Sequence, residues 1–365
     1  MGKIVILSNH HSYTYNLRKE LIQALLDQNN KVYIVQPYGE KVKLLEEMGC
    51  ICIDVPFNGR GTNPVTDAKL IFQYYKILTK INPDAVLSYT IKPNLYGGII
   101  TKIKKIPFFP NVTGLGTAVE NESFLKHLLI LLYKFAFSNT STVFFQNEKN
   151  KKYFLENVTY VKNSRVLPGS GVNLSQFKSL PYPVKQQVDI SFVSRIMKDK
   201  GIDEYLEAAK YFSQNNENVN FHIFGSLDNE YKNIISDLHK NGTINYHGST
   251  DNIIKVYEES HCIILPSYHE GMSNVLLEAA ASARPILASN VPGCREIIDE
   301  GINGFKFEVK NSKDLIKTIK KFLNLSNNQK AIMGEAGRKK MESEFDRTIV
   351  VDMYIKEIIK TLEEK

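Results

Sequence analysis

The sequence has 365 residues, of which 43% are hydrophobic and 23% are charged, the composition of an ordinary soluble globular protein. This length exceeds what one hydrophobic core normally supports, so two domains are expected. The apolar run at residues 4–7 is too short for a secretion signal, and the stretch 124–137 is interrupted by charges and too short to span a bilayer, so we expect a cytosolic protein.

The net charge of +7 is unevenly distributed along the chain. Residues 1–165 carry 21 Lys and Arg against 12 Asp and Glu, which gives +9, whereas residues 166–365 carry 25 against 27, which gives −2. A basic first half is compatible with a nucleic acid, an anionic membrane surface or a phosphate-bearing substrate, and equally with a lysine-rich solvated surface.

The first half alternates short apolar runs with amphipathic segments. Leu17, Leu21, Ile22 and Leu25 have helical spacing and predict a helix after a polar loop at residues 9–16. Strands are predicted at KIVILS, KVYIVQP, ICIDVPF, DAVLSYT, PFFPNVTG and STVFFQN. This alternation predicts a parallel sheet covered on both faces.

The character changes after residue 165, where PGSGVNLSQFKSLPYPVKQQ has no apolar period and predicts a linker. A second β-α series follows, and the chain ends in one more amphipathic helix. We therefore predict an α/β protein with two doubly wound parallel-sheet domains. The predicted segments are a first domain at 1–170, a linker at 171–188, a second domain at 189–345, and a C-terminal helix at 346–365 that returns to the first domain.

Two glutamates stand seven residues apart in HEGMSNVLLEAAASARP. Glu270 lies in the loop after the strand CIILPSY, and Glu278 lies about one turn into the helix that we predict to begin near Ser273 or Asn274. A helix start at the carboxyl end of a strand binds anions through its free N–H groups. The two glutamates would flank that anion and accept hydrogen bonds from hydroxyl groups. Apolar neighbours of Glu278 argue against a simply solvated surface.

Two cations follow another strand of the same sheet. In VSRIMKDKG the strand ends at Arg195, and Lys200 precedes the next helix. Together with the helix start, these cations would neutralise a diphosphate.

The second half resembles the nucleotide-sugar-binding domain of the family 4 glycosyltransferases, a retaining group with the GT-B fold of two facing Rossmann-like domains. The matching stretches are VSRIMKDKG, FHIFGS, INYHGS and PSYHEGMSNVLLEAAASARPILASNVPGCREIIDEGINGF, in which Glu270 and Glu278 form the E-x7-E motif of that group. The resemblance is most specific over residues 190–305. In the first half, SYTIKPNLYGGI and NVTGLGTA, like LPGSGVNLSQF at the domain boundary, look like the branch that builds bacterial capsule, O-antigen and lipid-linked oligosaccharides.

The resemblance implies a role for each residue on the donor side. Arg195 and Lys200 would stabilise charge on the leaving nucleoside diphosphate. Glu278 would hold ribose hydroxyls, and Glu270 would hold donor-sugar hydroxyls nearest the reacting carbon. The other donor-binding residues implied are Gly271, Met272, Ser273, Asn274 and Gly225.

The resemblance assigns fewer residues to binding of the acceptor than to binding of the donor. Thr113 stands where many relatives have a histidine, and a threonine is not a general base. Either a phosphate oxygen of the donor takes the acceptor proton, which we favour, or a carboxylate such as Glu120 or Glu122 does. Arg18, early in the first helix, is the candidate to meet an acceptor phosphate.

The resemblance implies a UDP-sugar donor and a polyprenyl-diphosphate-linked glycan acceptor, with the basic first domain on the inner leaflet of the membrane and no nucleic acid as partner. No metal or other cofactor is expected, because Asp-x-Asp does not occur in the sequence. A nucleotide-sugar epimerase of the same fold, a glycoside hydrolase and a nonenzymatic binding module remain alternatives. The absence of G-x-G-x-x-G after an early strand disfavours a dinucleotide-dependent oxidoreductase.

Overall fold

The computed structural model describes residues 2–56, 63–113, 124–215 and 217–364. The chain divides into two compact units. The first contains Met1–Ser170 and Thr348–Lys365, and the second contains Gly171–Arg347.

The first unit is built on a parallel sheet whose described strands have the order β3-β2-β1-β4-β5-β6-β7. Its strands are β1 (Lys3–Leu7), β2 (Lys31–Gln36), β3 (Ile51–Asp54), β4 (Ala85–Tyr89), β5 (Phe108–Val112), β6 (Val143–Phe145) and β7 (Ser164–Val166). The central strands β1, β4 and β5 are buried on both faces, as expected for a parallel sheet between layers of helices.

Helices connect these strands. They are α1 (His11–Asp27), α2 (Val42–Glu47), α3 (Pro64–Ile81), α4 (Ile91–Lys104), α5 (Phe124–Phe137) and α6 (Glu148–Asn157). The loop predicted at residues 9–16 is wrong in part, because α1 begins at His11. The His10 ring nitrogen Nδ1 accepts a hydrogen bond from the Ser12 N–H at 3.1 Å, so a histidine caps the helix.

The last helix, α13 (Arg347–Glu363), packs on the first unit. The Glu357 carboxylate accepts hydrogen bonds from Arg165 Nε at 2.7 Å and from Thr142 Oγ1 at 2.8 Å. Tyr354 is buried and hydrogen-bonded to Asn111 on β5. These contacts attach the C-terminal helix to the sheet of the first unit.

The second unit contains a second parallel sheet, with the order β10-β9-β8-β11-β12-β13 among its described strands. The strands are β8 (Val188–Val193), β9 (Val219–Phe224), β10 (Asn245–Gly248), β11 (Cys262–Leu265), β12 (Ile286–Ser289) and β13 (Gly304–Phe307). The helices are α7 (Ile202–Gln214), α8 (Lys232–Lys240), α9 (Ile253–Glu259), α10 (Asn274–Ala281), α11 (Ser312–Leu323) and α12 (Asn327–Glu344).

The segment 171–188, which we predicted to be a linker, begins within the second unit. Val172 and Phe177 are buried in its hydrophobic core. The Val172 N–H donates to the Phe345 carbonyl oxygen at 2.8 Å, and the Val172 carbonyl oxygen accepts from the Arg347 N–H at 3.0 Å. The start of this segment is therefore ordered by packing.

Both units are doubly wound α/β structures with helices on the two faces of a parallel sheet, which confirms the predicted fold class. None of the described helices is both long enough and apolar enough for a membrane span.

Candidate functional site

The candidate site lies where the strand order of the second unit reverses. β8 and β11 are hydrogen-bonded neighbours, yet the chain leaves β8 towards one edge of the sheet and returns at β11 towards the other. Loops at such a switch point diverge and leave a crevice beyond the carboxyl ends of the strands. The loop after β8 carries Arg195 and Lys200, and the loop after β11 carries Glu270.

Lys200 and Glu270 form an ion pair at this crevice. Lys200 Nζ lies 2.6 Å from Glu270 Oε1, and the two side chains are 20% and 13% exposed. Ser267 Oγ donates to the same carboxylate oxygen at 2.8 Å. The Lys200 ammonium group has three N–H donors. One of them donates to the Glu270 carboxylate, so two remain for a bound anion.

A glycine allows the turn that carries Lys200 to approach β11. Lys198–Lys200 form a short 3₁₀ turn that ends at Gly201, with φ of +71°. A Cβ atom at Gly201 would lie 2.0 Å from the Pro266 carbonyl oxygen. The close backbone contact brings Lys200 to the end of the neighbouring strand.

The loop after Glu270 ends at the start of α10, as the sequence predicted. Ser273 caps this helix, with its Oγ accepting from the Leu276 N–H at 3.4 Å, and its own N–H donates to the Gly293 carbonyl oxygen at 2.9 Å. Met272 is buried in the core. Asn274 Oδ1 is buried and has no hydrogen-bonding partner among the described residues. The loop backbone is thus fixed beside Glu270, with a helix N-terminus at its end.

Glu278 lies in the middle of α10 and is partly buried. Tyr257 on α9 donates a hydrogen bond from its hydroxyl to Glu278 Oε2 at 3.0 Å. Burial raises the pKa of the Glu278 carboxyl to about 7, although this hydrogen bond and the positive charge of Arg347 act in the opposite direction. The carboxyl group therefore keeps its proton to a higher pH than an ordinary glutamate does.

Arg195 and Gly225 lie at the carboxyl ends of β8 and β9. The Arg195 side chain is exposed, and within the described parts of the chain it forms no hydrogen bond or ion pair. Gly225 has φ of +146°, and a Cβ atom there would lie 1.8 Å from the Ser194 carbonyl oxygen. Gly225 thus allows close packing of the backbone that leads into Arg195.

Of the four residues assigned to the acceptor side, Arg18 and Thr113 belong to the described residues. Arg18 is buried, and its guanidinium stacks on the Tyr89 ring at 4.3 Å from the centroid. Thr113 is half-buried just after β5. Glu120 and Glu122 lie outside the described residues. The acceptor roles of these four residues stay predictions.

Sequence reasoning did not single out two residues that the structure places in the site, Ser267 and Tyr257. Ser267 stands in the PSYHEG stretch, and its spacing of three residues from Glu270 could have indicated a side-chain contact. No local pattern links Tyr257 to Glu278, because the contact joins two helices separated by a strand.

The first unit also has a side-chain contact between segments that are distant in the sequence. Thr14 Oγ1 lies 2.8 Å from Ser8 Oγ and 2.6 Å from Gln36 Oε1.

The site offers cations for an anion and carboxylates for hydroxyl groups, all at one edge of one sheet. Lys200, Arg195 and the start of α10 suit a diphosphate, and Glu270 and Glu278 suit the hydroxyls on either side of it. No cluster of three or more His, Cys, Asp or Glu side chains suited to a metal ion occurs within residues 2–56, 63–113, 124–215 and 217–364.

Comparison with known protein families gives two adjacent matches. Residues 176–340 match the family described as glycosyl transferases group 1. Residues 3–147 match the family described as glycosyl transferase 4-like. The first match includes Arg195, Lys200, Glu270 and Glu278.

Similar proteins cover almost the whole chain. An N,N'-diacetylbacillosaminyl-diphospho-undecaprenol alpha-1,3-N-acetylgalactosaminyltransferase of Campylobacter jejuni is 27% identical, over 97% of this chain and 97% of its own. The capsular polysaccharide biosynthesis glycosyltransferase CapM of Staphylococcus aureus is 27% identical, over 92% of this chain and 91% of its own.

Among solved structures, that of the Anabaena protein HepE in complex with UDP and glucose matches with a TM-score of 0.80 at 16% identity, over 99% of this chain and 100% of its own. The two Rossmann-like units thus match structures of the GT-B fold. The sequence-based assignment is confirmed: the chain belongs to the family 4 glycosyltransferases.

Proposed function

We propose that this glycosyltransferase moves a hexose or N-acetylhexosamine from a UDP-sugar to a sugar hydroxyl of a polyprenyl-diphosphate-linked bacterial glycan, with retention of configuration and without a metal ion. The proposal depends on one observation: Lys200, Glu270 and Glu278 all lie at the switch point of the second unit. Together they combine the charges that a nucleoside diphosphate needs with acceptors for sugar hydroxyls on both sides.

The chemistry follows from where charge develops. The bond between the anomeric carbon and the diphosphate oxygen breaks, and Lys200 and Arg195 stabilise the negative charge left on the diphosphate. The acceptor oxygen bonds to the same face of the sugar. Its proton passes to the departing phosphate oxygen, so the charges balance without a protein base.

Glu270 orients the donor sugar in this scheme. Its Oε1 is held by Lys200 and Ser267, so the carboxylate is fixed before substrate arrives. A fixed acceptor for sugar hydroxyls positions the anomeric carbon and needs no covalent step.

The relatives support the choice of donor and acceptor. The similar Campylobacter jejuni protein is named for transfer of N-acetylgalactosamine to a sugar on diphospho-undecaprenol, and the similar Anabaena structure contains UDP. A lipid-linked acceptor also requires the enzyme to work at a membrane, which we place at the inner face of the cytoplasmic membrane.

Three helices of the first unit supply a surface suited to that membrane. α3 and α5 both pack against α4. Lys104 Nζ of α4 lies 4.9 Å from the centroid of the Tyr75 ring on α3, and Lys102 Nζ lies 3.8 Å from that of Phe135 on α5. Exposed apolar side chains on these helices are Phe72, Tyr75, Ile103, Leu128, Leu131 and Phe135.

We call this set, with Lys76, Lys102 and Lys104, the three-helix surface. Its lysines complement anionic headgroups, and its apolar side chains suit the boundary between headgroups and acyl chains. It is the expected contact between the enzyme and an anionic membrane.

The proposal is tested with a panel of nucleotide sugars, each incubated with the protein with and without a polyprenyl-diphosphate-linked sugar, while release of nucleoside diphosphate is measured. Release that requires the acceptor and favours one UDP-sugar is the expected result. Change of the donor sugar without acceptor would instead indicate an epimerase or a hydrolase. No release with any pair would leave only nucleotide-sugar binding.

A further inference from the structure

The contact between Tyr257 and Glu278 joins two helices on the same side of the sheet. The Tyr257 hydroxyl is 3.0 Å from Glu278 Oε2, whereas the Val275 carbonyl oxygen, another acceptor near it, is 3.5 Å away. Tyr257 is fully buried in an apolar cluster that includes Phe177 and Leu277. A phenylalanine would fill the same space, so the hydroxyl group serves the carboxylate and not the packing.

Tyr257 is itself held by a buried cation. The Arg284 guanidinium, which is fully buried, donates from Nε to the Tyr257 carbonyl oxygen at 2.6 Å and from a terminal nitrogen to the Pro181 carbonyl oxygen at 2.7 Å. A buried guanidinium is tolerated only where its protons are satisfied. Arg284 therefore fixes the backbone of α9 at the residue whose side chain reaches Glu278.

The second carboxylate oxygen of Glu278 has a different environment. In the part of the chain that the structure describes, no residue forms a hydrogen bond to Glu278 Oε1, and the side chain keeps some exposure. One oxygen is thus fixed by the protein, while the other is left as an acceptor.

We propose that Tyr257 is a positioning residue for nucleotide binding, which holds Glu278 Oε2 so that Oε1 accepts the ribose hydroxyls of the donor. This inference rests on the proposed function, which assigns the ribose to Glu278. It adds a residue outside the E-x7-E motif that decides the orientation and the charge of the second glutamate.

The charge state follows from the groups around the carboxylate. Burial raises the Glu278 pKa to about 7, and the groups that act against burial are the Tyr257 hydroxyl from α9 and the Arg347 guanidinium at the start of α13. Burial also raises the pKa of Tyr257 well above its ordinary value, so this residue remains a donor at every pH of interest. Loss of the hydroxyl raises the Glu278 pKa further and leaves less carboxylate at neutral pH.

The test compares Tyr257→Phe with Tyr205→Phe. Tyr205 is also fully buried in the second unit, but its hydroxyl donates to the backbone carbonyls of Ile190 and His222, both at 2.9 Å. Both substitutions remove a buried hydroxyl, and only the first affects Glu278. The affinity for UDP alone is measured by calorimetry between about pH 6 and pH 9, a range around the pKa of Glu278.

We expect Tyr257→Phe to weaken UDP binding about tenfold at neutral pH, the usual effect of losing a hydrogen bond to a charged group. The loss should shrink as the pH rises, because the carboxyl becomes ionised again. The kcat with saturating donor should change little, because the ribose contact is the same in ground and transition states. Tyr205→Phe should keep the wild-type pH profile.

Glu278→Gln provides a second measure that does not depend on the folding of Tyr257→Phe. It should abolish the rise of UDP affinity through about pH 7, where Glu278 ionises, and in that background Tyr257→Phe should have no further effect on the pH profile. A wild-type profile in Glu278→Gln, or equal profiles for Tyr257→Phe and Tyr205→Phe, would overturn the inference and leave the proposed function intact. Failure of the wild type to bind UDP at any pH would overturn both.

Discussion

Lys200 and Glu270 are paired across the switch point of the second unit, with Nζ 2.6 Å from Oε1. The two residues come from loops after different strands, and each was assigned to a different part of the donor. Their pairing means that the cation expected to meet the diphosphate is already oriented by the carboxylate expected to meet the sugar. Substitutions of the two residues should therefore have different effects on binding and on turnover.

Lys200→Ala should lower turnover at least about 10²-fold, because charge on the leaving diphosphate loses a cation that stabilises it. Arg195→Ala should have an effect of the same order. Lys198→Ala is the matched control, since Lys198 is exposed and belongs to the same short turn. Steady-state kinetics with the preferred donor measure the difference, and wild-type rates from both Lys200→Ala and Arg195→Ala would rule out the diphosphate site.

Glu270→Ala should remove transfer activity while UDP binding remains largely intact. The substitution removes the acceptor for sugar hydroxyls but leaves the Lys200 ammonium, no longer neutralised by a carboxylate, available to the diphosphate. Calorimetric titration with UDP and an assay of transfer separate the two effects. Transfer at the wild-type rate would show that the donor sugar lies elsewhere.

Glu278→Gln should stabilise the protein above neutral pH. The folded-state pKa of about 7 lies above the ordinary value for a glutamate, so the stabilising contribution of this group is complete below the unfolded-state pKa and is lost as the pH rises through about 7. At alkaline pH the substitution should raise the free energy of unfolding by on the order of 1–3 kcal/mol, with little effect in acid.

Urea denaturation at several pH values measures this difference. Glu259→Gln is a suitable control, because Glu259 is exposed and pairs with Lys255 on the surface of α9. Equal pH dependence in the wild type and Glu278→Gln would contradict the raised pKa.

Gly225→Ala should disturb the backbone that leads into Arg195. The added Cβ would lie 1.8 Å from the Ser194 carbonyl oxygen, so the two strand ends must move apart. Gly242→Ala is the matched control, because Gly242 also has a positive φ, +80°, but a Cβ there would meet no atom within 4 Å.

The control substitution should cost only the strain of a left-handed residue, about 1–2 kcal/mol, and should keep activity. Gly225→Ala should be less stable than the control and should lower kcat/KM. Equal stability and activity in the two variants would show that the strand ends tolerate the added carbon.

The sequence was sufficient for the fold class and for the strand ends and helix start that carry the proposed donor residues, because both depend on local patterns. Apolar runs and helical spacing predict most of the strands and many of the helices, although not β7, and the start of α10 follows from Ser273. Helix α4 was not predicted, since Pro93, Gly97 and Gly98 give it a weak helical signal. The packing of α4 against α5 explains one of these glycines, because a Cβ at Gly98 would lie 2.8 Å from the Ala136 carbonyl oxygen of α5.

Contacts between distant segments could not be predicted in the same way. Arg18 has the position of an exposed residue in the first turns of a helix, yet the structure buries it against Tyr89, which is far from it in the sequence. The pairing of Tyr257 with Glu278 likewise depends on how two helices pack. Such contacts are decided by tertiary structure and leave no local pattern.

The three-helix surface predicts membrane binding that depends on charge. Lys104→Glu should weaken binding to vesicles that contain phosphatidylglycerol by about thirtyfold, since each basic residue near such a surface contributes roughly 1 kcal/mol and the substitution changes the charge by two. Lys43→Glu makes the same change of charge on α2, at a side chain that is 83% exposed, and should have little effect. Sedimentation with vesicles of phosphatidylcholine, with and without phosphatidylglycerol, measures the affinities.

The dependence on salt distinguishes the electrostatic contribution of the lysines from the contribution of the apolar side chains. Binding should fade as the salt concentration approaches 1 M, where the Debye length falls to about 3 Å. Leu131, which is 63% exposed on α5, contributes apolar surface, so Leu131→Ala should weaken binding without changing the dependence on salt. Binding that is absent, or that both lysine variants reduce equally, would show that the three-helix surface is not the site of membrane contact.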